Sequence, residues 1–101
     1  MPFAGNTVLS VALTPTARSA AVDLTEESYD VSAALAAQYG GLALAAGDFI
    51  GVSVPVVDNT HVGACGARAV DATHIAIQWG NFTAAANVPP AGTYRFLIQR
   101  A

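Results

Sequence analysis

Apolar and polar residues alternate along much of this chain, and residues 94–100 show the alternation most clearly. There Tyr94, Phe96 and Ile98 fall on one face, while Leu97 falls on the other with its polar neighbours. A period of two residues is typical of a strand that buries one face. The sequence therefore predicts a strand at the end of the chain, with three large side chains in a core.

The same reasoning predicts strands elsewhere in the chain. The other predicted strands are residues 6–14, 19–24, 49–54, 61–70 and 74–79. Pro15 and Pro55 end two of them, because proline has no backbone donor for a sheet. Within residues 61–70, Gly63 and Gly66 indicate a bulge or a close backbone approach.

Two segments are predicted to be loops. Residues 25–30 are rich in carboxylates, which indicates a solvated turn. Residues 80–92 contain Asn81, Asn87 and the proline pair 89–90, all of which favour turns. We expect this second segment to run over one end of a sheet.

Residues 32–38 favour a short helix, because alanine and leucine have high helix propensity. Ser32 is a candidate N-cap, and the glycine pair 40–41 would end the helix. A helix this short needs packing through Leu35 and Tyr39 to persist. The residues alone leave both helix and loop open here.

Several short strands separated by turns at intervals of about ten residues are typical of all-β domains. We therefore predict a mainly β fold, a small antiparallel β-sandwich or barrel with one short helix near residues 32–38. The length fits a single domain over residues 1–101, with residues 1–6 as a candidate extended arm.

Composition adds a prediction of assembly. Hydrophobic residues make up 53% of the chain and charged residues 11%, and its four basic residues are all arginines. Soluble domains carry about 25% charged residues, and lysine commonly guards exposed sheet edges. We expect a homo-oligomer rather than a monomer, because large exposed apolar patches mark interaction sites. The alternative is that alanine and glycine raise the hydrophobic fraction without making an adhesive surface.

Charge argues against a nucleic-acid partner, because the net charge is −3 and the arginines are scattered. No apolar run approaches the ~20 residues that span a bilayer, so we predict no membrane partner. The first residues lack the basic and apolar regions of a signal peptide, which predicts synthesis in the cytoplasm. The single Cys65 is consistent with that compartment.

Reactive groups are sparse. Asp58, His61 and Cys65 form the one local cluster that suggests a nucleophile, a base and an orienting carboxylate. On a strand, however, the last two would stand about 13 Å apart. We favour Cys65 as a small buried hydrophobic residue and predict no catalytic residue, metal site or cofactor.

The aromatic residues Trp79, Tyr94 and Phe96 are predicted to be core, since strand spacing places them inward. Phe82, in the loop after Trp79, is the better candidate for exposure. Pro2 and Phe3 lie in the candidate arm, which either reaches a neighbouring subunit or frays.

Four segments carry a family resemblance, namely GDFIGVSVP at residues 47–55, ARAVDA at 67–72, NFTA at 81–84 and PAGTYR at 90–95. Together they resemble the capsid decoration, or cement, proteins of tailed bacteriophages. The resemblance covers residues 47–100 and rests on strand and turn signatures. It implies an all-β fold, no enzymatic activity, and attachment to the major capsid protein on the virion surface, commonly as a homotrimer.

Two other hypotheses stay open. One is a phage tail or head-fibre module that binds a host-surface glycan through Phe82 and the loop that contains Asn87. The other is an enzyme built on Asp58, His61 and Cys65. We rank decoration first, glycan binding second and catalysis third.

Overall fold

The computed structural model describes residues 6–18, 23–55, 62–81, 83 and 85–100. Its elements are β1 (Asn6–Leu13), β2 (Asp23–Asp30), α1 (Ser32–Tyr39), β3 (Phe49–Ser53), β4 (Val62–Ala69), β5 (His74–Asn81) and β6 (Gly92–Gln99). The predicted class, mainly β with one short helix, is confirmed. The predicted strands at 6–14, 49–54, 61–70, 74–79 and 94–100 are present with shifted ends.

The six strands form one antiparallel sheet in the order β1-β6-β3-β4-β5-β2, which curls into a half-barrel. The first strand of the chain therefore pairs with the last. In this order β1 and β2 are the two edge strands.

The core lies on the inner, concave side of the sheet. Its largest buried side chains are Leu9, Ile75, Ile77, Trp79, Tyr94, Phe96, Ile98 and, from the helix, Leu35. The rings of Trp79 and Tyr94 meet edge to face, with their centroids 6.0 Å apart. This T-shaped contact is a favoured aromatic geometry, and it confirms the predicted aromatic core.

The helix α1 packs against β1 and buries Leu35. It ends at Gly40, whose φ of 66° is the left-handed conformation that glycine adopts without steric cost. The predicted cap at Ser32 is wrong, because Val31 is the N-cap and makes no side-chain hydrogen bond there. The Ser32 backbone N–H instead donates to Asp30 Oδ1 at 2.8 Å.

Residues 25–30 are not a turn, so that prediction is wrong: they belong to β2, which pairs with β5 along its whole length. Their carboxylates suggested full solvation, yet two of them have specific partners. Glu26 pairs with Arg68, and Glu27 bonds inward to Tyr29. Of the strand predicted at 19–24, only its last two residues lie in β2, and residues 19–22 are outside the described part.

The predicted bulge lies in β4, where the register to β5 shifts between Ala64 and Gly66. The extra residue is Cys65, and its side chain is exposed. The prediction that Cys65 is buried is therefore wrong. A bulge interrupts the two-residue period, so the position of Cys65 in the sequence did not indicate its orientation.

Candidate functional site

The outer face of the sheet divides into two regions of different chemistry. We call β1, β6 and β3 the β1 half, and β4, β5 and β2 the β2 half. Both halves bury their inward side chains in the same core. They differ in what they present to solvent, and this difference defines the candidate site.

The β1 half exposes hydrophobic side chains. Val8 pairs with Leu97, and Leu97 pairs in turn with Gly51. The exposed fractions are 47% for Val8, 38% for Leu97 and 63% for Phe49, which lies two residues before Gly51. We call these four residues the outer apolar strip. Since strands hold all four, the strip is a fixed surface rather than a loop.

Arg95 is the charged residue beside the outer apolar strip. It is exposed on β6, between Ser10 of β1 and Ser53 of β3 in the strand register. A cation next to exposed hydrocarbon is a common arrangement at protein interfaces, in which arginine is enriched. The strip can therefore bind an apolar protein surface, with a charged group at its side.

The β2 half presents mainly polar groups on the same outer face, with Leu24 of β2 also exposed. Arg68 donates two hydrogen bonds to the Glu26 carboxylate, at 2.7 Å and 2.9 Å. The hydrogen bond from Arg68 holds the pKa of Glu26 below its usual value. Across the sheet, Gln78 lies between Glu26 and Gly66. This half has the character of an ordinary solvated surface.

On the inner side of β2, Glu27 is the centre of a polar network. Its carboxylate accepts hydrogen bonds from Tyr29 Oη at 2.6 Å, from Thr16 N at 3.1 Å and from Thr16 Oγ1 at 2.9 Å. The indole N–H of Trp79 donates to Tyr29 Oη at 3.0 Å. The Arg18 guanidinium lies 3.5 Å from the same carboxylate. The network ties the segment after β1 to the far edge of the sheet.

These contacts set the pKa of Glu27. Burial raises it, but the hydrogen bonds from Tyr29 and Thr16 and the charge of Arg18 outweigh burial and leave it below the usual value. Burial raises the pKa of Tyr29, and its bond to Glu27 raises it further. At neutral pH, Tyr29 is therefore a neutral donor and Glu27 a charged acceptor.

The free side of β1 is covered by side chains of α1. Gln38 accepts a hydrogen bond from the Ser10 N–H at 3.1 Å and donates one to the Ser10 carbonyl at 2.7 Å. Tyr39 Oη donates to the Val8 carbonyl at 2.5 Å. The Gln38 amide thus occupies the backbone groups that an added strand would use.

The free side of β2 differs. Its eight residues pair with β5 in unbroken register from Asp23 to Asp30. Among the described residues, no strand lies on its other side, and no backbone group of β2 bonds to backbone beyond the sheet. In that part of the chain β2 is an open edge.

The structure describes one of the four predicted contact residues. Pro2, Phe3 and Phe82 lie outside the described residues. Asn87 is half-buried and holds its own loop: its side-chain amide donates to Thr83 Oγ1 at 2.7 Å. Its backbone also bridges to Arg18, through N···O distances of 2.7 Å and 3.2 Å. The glycan hypothesis stays a prediction.

The catalytic hypothesis also stays a prediction, because Asp58 and His61 lie outside the described residues. Within that described part, no cluster of three or more His, Cys, Asp or Glu side chains could hold a metal ion. No helix described here has the length and apolar character needed to cross a membrane.

The outer apolar strip was not predicted from the sequence, although a signal for it existed. Leu97 falls out of phase with Tyr94, Phe96 and Ile98, which places a large apolar side chain on the outward face. A single exposed leucine is common in soluble proteins. What the sequence could not show is that β1 and β3 bring Val8 and Phe49 beside it.

Comparison with known proteins gave no relatives: no protein-family model, no curated protein and no solved structure matches this chain.

Proposed function

We propose that the protein is a capsid decoration protein of a tailed bacteriophage. In this proposal it is a non-enzymatic subunit that binds the outer surface of the head and stabilises it by bridging copies of the major capsid protein. The observation that carries the proposal is the outer apolar strip, in which Val8, Phe49 and Leu97 are exposed on one rigid face.

The location of the segments that resemble decoration proteins supports this proposal. Residues 47–55 contain β3, and residues 90–95 contain the start of β6, its neighbour in the sheet. A Cβ added to Gly92 would stand 3.0 Å from Cβ of Pro55, and the φ of Gly92 is 151°. Glycine is therefore required where the two segments meet. The segment at residues 47–55 also supplies Phe49 and Gly51 of the outer apolar strip.

The size of the strip supports assembly. Full burial of one large apolar side chain contributes about 1.5–3 kcal/mol, and the three exposed residues here are already partly buried. The strip of one subunit could then supply roughly 3–5 kcal/mol, whereas association costs an estimated 4–15 kcal/mol. One copy would bind weakly, so the proposal includes a homo-oligomer, with a trimer favoured. Several linked strips bind far more tightly than one.

Capsid binding provides the test. Purified protein is mixed with expanded phage capsids that lack it, and co-sedimentation and the melting temperature of the capsids are measured. We expect saturable binding and a higher melting temperature. No co-sedimentation at saturating concentration would refute the proposal.

Matched variants test whether the outer apolar strip makes the contact. Val8→Ser and Phe49→Ser remove apolar surface from the strip, and Val88→Ser removes a valine that is 51% exposed in the loop before β6. We expect the first two variants to bind capsids more weakly and the third to bind like the original protein. Equal losses in all three would show that the strip is not the contact.

A further inference from the structure

The two edge strands differ in how their backbones are covered, because side chains of α1 contact β1 and no described strand lies beside β2. This difference points to a second binding surface. We propose that the open edge of β2 accepts an extended, basic segment of another protein as an added strand. The inference goes beyond the proposed function, since it concerns the edge of the sheet and not the outer apolar strip.

Backbone geometry is the first step. A strand with one neighbour has a row of N–H and C=O groups along its other side, and an extended segment can bind there by adding a strand. β2 is eight residues long and pairs with β5 without a bulge. It contains no proline and no lysine, which are two common guards of sheet edges. Its backbone can therefore template a long ladder.

The other edge strand, β1, is protected by a side chain of α1. Gln38 makes both a donor and an acceptor contact to the backbone of Ser10 on β1. No side chain of the described residues makes such a pair of contacts to the free side of β2. Coverage of the β1 backbone, and the absence of such coverage at β2 among the described residues, single out β2 as the accepting edge.

The charge around β2 indicates what kind of segment would bind there. Acidic side chains are concentrated on β2 and in the turn before β5, where Glu26, Glu27, Asp30 and Asp71 lie. The arginines bonded to this group are Arg18 and Arg68, so the region has an excess of negative charge. A basic segment complements it, because opposite charges on adjacent strands attract.

The same charges disfavour a second copy of β2 as the occupant. In an antiparallel β2–β2 pair centred on Glu26 or on Glu27, the central carboxylate faces its own copy. A pair centred on Ser28 places Glu26 opposite Asp30. Like charges directly opposite each other destabilise a sheet. The three central registers therefore all bring acidic residues together.

The outward side chains indicate what the segment should carry. Leu24, Glu26, Ser28 and Asp30 alternate on the outer face of β2, and all four are exposed. An added strand would place basic residues on this outer face, beside Glu26 and Asp30, and its alternate, apolar residues on the inner face. The fitting partner is a strand of alternating apolar and basic residues.

Defined peptides test this proposal without a natural partner. The probe is a blocked, fluorescent ten-residue peptide of alternating valine and arginine, titrated with the soluble protein and followed by anisotropy. We expect saturable one-to-one binding that weakens as salt is added. A matched valine–glutamate peptide, and a valine–arginine peptide N-methylated at every residue so that neither of its edges can pair, should bind at least about tenfold more weakly. Equal binding of the N-methylated peptide would overturn the proposal.

Matched variants locate the site on the protein. Ser28→Lys places a guard charge on β2, and Ala12→Lys places the same charge on β1, at a position that is also exposed. We expect Ser28→Lys to weaken peptide binding at least about tenfold and Ala12→Lys to change it little. Leu24→Arg serves as a second β2 variant. Equal effects of the β1 and β2 variants would overturn the proposal.

Two further measurements separate the alternatives. Hydrogen exchange should show new protection in β2 when the valine–arginine peptide binds, and protection confined to other strands would contradict the proposal. Sedimentation of the free protein tests the second copy: a dimer that Ser28→Lys dissociates would make self-pairing the occupant and refute our choice. Phe49→Ser should leave peptide binding unchanged, so this inference and capsid binding can fail independently.

Discussion

The β1 half of the sheet presents hydrocarbon to solvent and has a covered edge, whereas the β2 half presents mainly polar groups and has an edge that no strand of the described residues pairs with. On β1 and β6, Val8 and Leu97 are exposed side by side, and Gln38 covers the edge. On β2, Glu26 pairs with Arg68, and the outer side of the strand has no neighbour in the described residues. One continuous core lies beneath both halves. One sheet can therefore offer two different binding surfaces, an apolar outer face in the β1 half and a strand edge in the β2 half.

The largest expected effect on stability comes from the inner face of the β1 half, and a matched change on its outer face should have little effect. Phe96 is fully buried on β6, while Phe49 is 63% exposed on the neighbouring β3. We expect Phe96→Ala to lower the free energy of unfolding by about 3–5 kcal/mol, through lost contacts and a cavity. Phe49→Ala should change it by less than about 0.5 kcal/mol. Urea unfolding followed by Trp79 fluorescence measures both, and similar losses would show that Phe49 is part of the core.

The next effect belongs to the inner network of the β2 half. Glu27→Gln removes a charged acceptor, and we expect a loss of about 1–3 kcal/mol at pH 7. The pKa of Glu27 lies below its usual 4.5 in the folded protein. The stabilisation is therefore present above pH 4.5 and is lost as pH falls through the lower folded value.

Unfolding free energies measured from pH 7 to pH 2 check this sign. Below pH 4.5, the difference between the original protein and Glu27→Gln should shrink. A difference that stays constant over the whole range would show that the Glu27 charge does not stabilise the fold.

A smaller effect is expected from removing the Gln38 contacts at the covered edge. Gln38→Ala removes both contacts to Ser10, and we expect a loss of about 1 kcal/mol, because alanine has the higher helix propensity and offsets part of the cost. Tyr39 Oη still donates to the Val8 carbonyl, so α1 continues to cover β1 in this variant. Urea unfolding at pH 7 measures the loss, and the valine–arginine peptide should bind at one site, as in the original protein.

Gln38→Glu is the matched control variant, because it keeps an acceptor for the Ser10 N–H and loses the donor to the Ser10 carbonyl. Unchanged stability in both variants would show that the Gln38 contacts do not stabilise the covered edge.

The smallest effect is expected from the outer ion pair of the β2 half. Glu26 and Arg68 are both well exposed, and exposed pairs contribute little to stability. We expect Glu26→Gln to lower the melting temperature less than any of the destabilising changes above. The remaining difference should vanish at high salt. Melting curves at low and at high salt check this, and a large, salt-independent loss would show that the pair is structural.

Much of the fold could be predicted because burial leaves a regular trace in the sequence. The alternation of Tyr94, Phe96 and Ile98, and that of Ile75, Ile77 and Trp79, reports inward positions directly, and all six are buried. The helix end at Gly40 was predictable for a similar reason, since few residues other than glycine adopt its φ of 66°.

The acidic strand could not be predicted, because its stability comes from partners distant in sequence. Glu26 is paired with Arg68, and Glu27 is bonded to Thr16. The residues next to each glutamate in the sequence therefore do not indicate its partner. Cys65 was predicted to be buried because free cysteine usually behaves as a small hydrophobic residue, whereas it is the extra residue of a bulge and is exposed. The candidate site is the least predictable feature, since it depends on which strands become neighbours and which edge α1 covers.

The pairing of the first strand with the last has a consequence for the order of events during synthesis. β6 joins β1 only after the whole intervening sheet has been translated, and contacts so distant in sequence form slowly. Val8 and Leu97 come from these two strands, so the outer apolar strip does not exist on a nascent chain. A growing polypeptide therefore cannot associate through this surface before its own fold is complete.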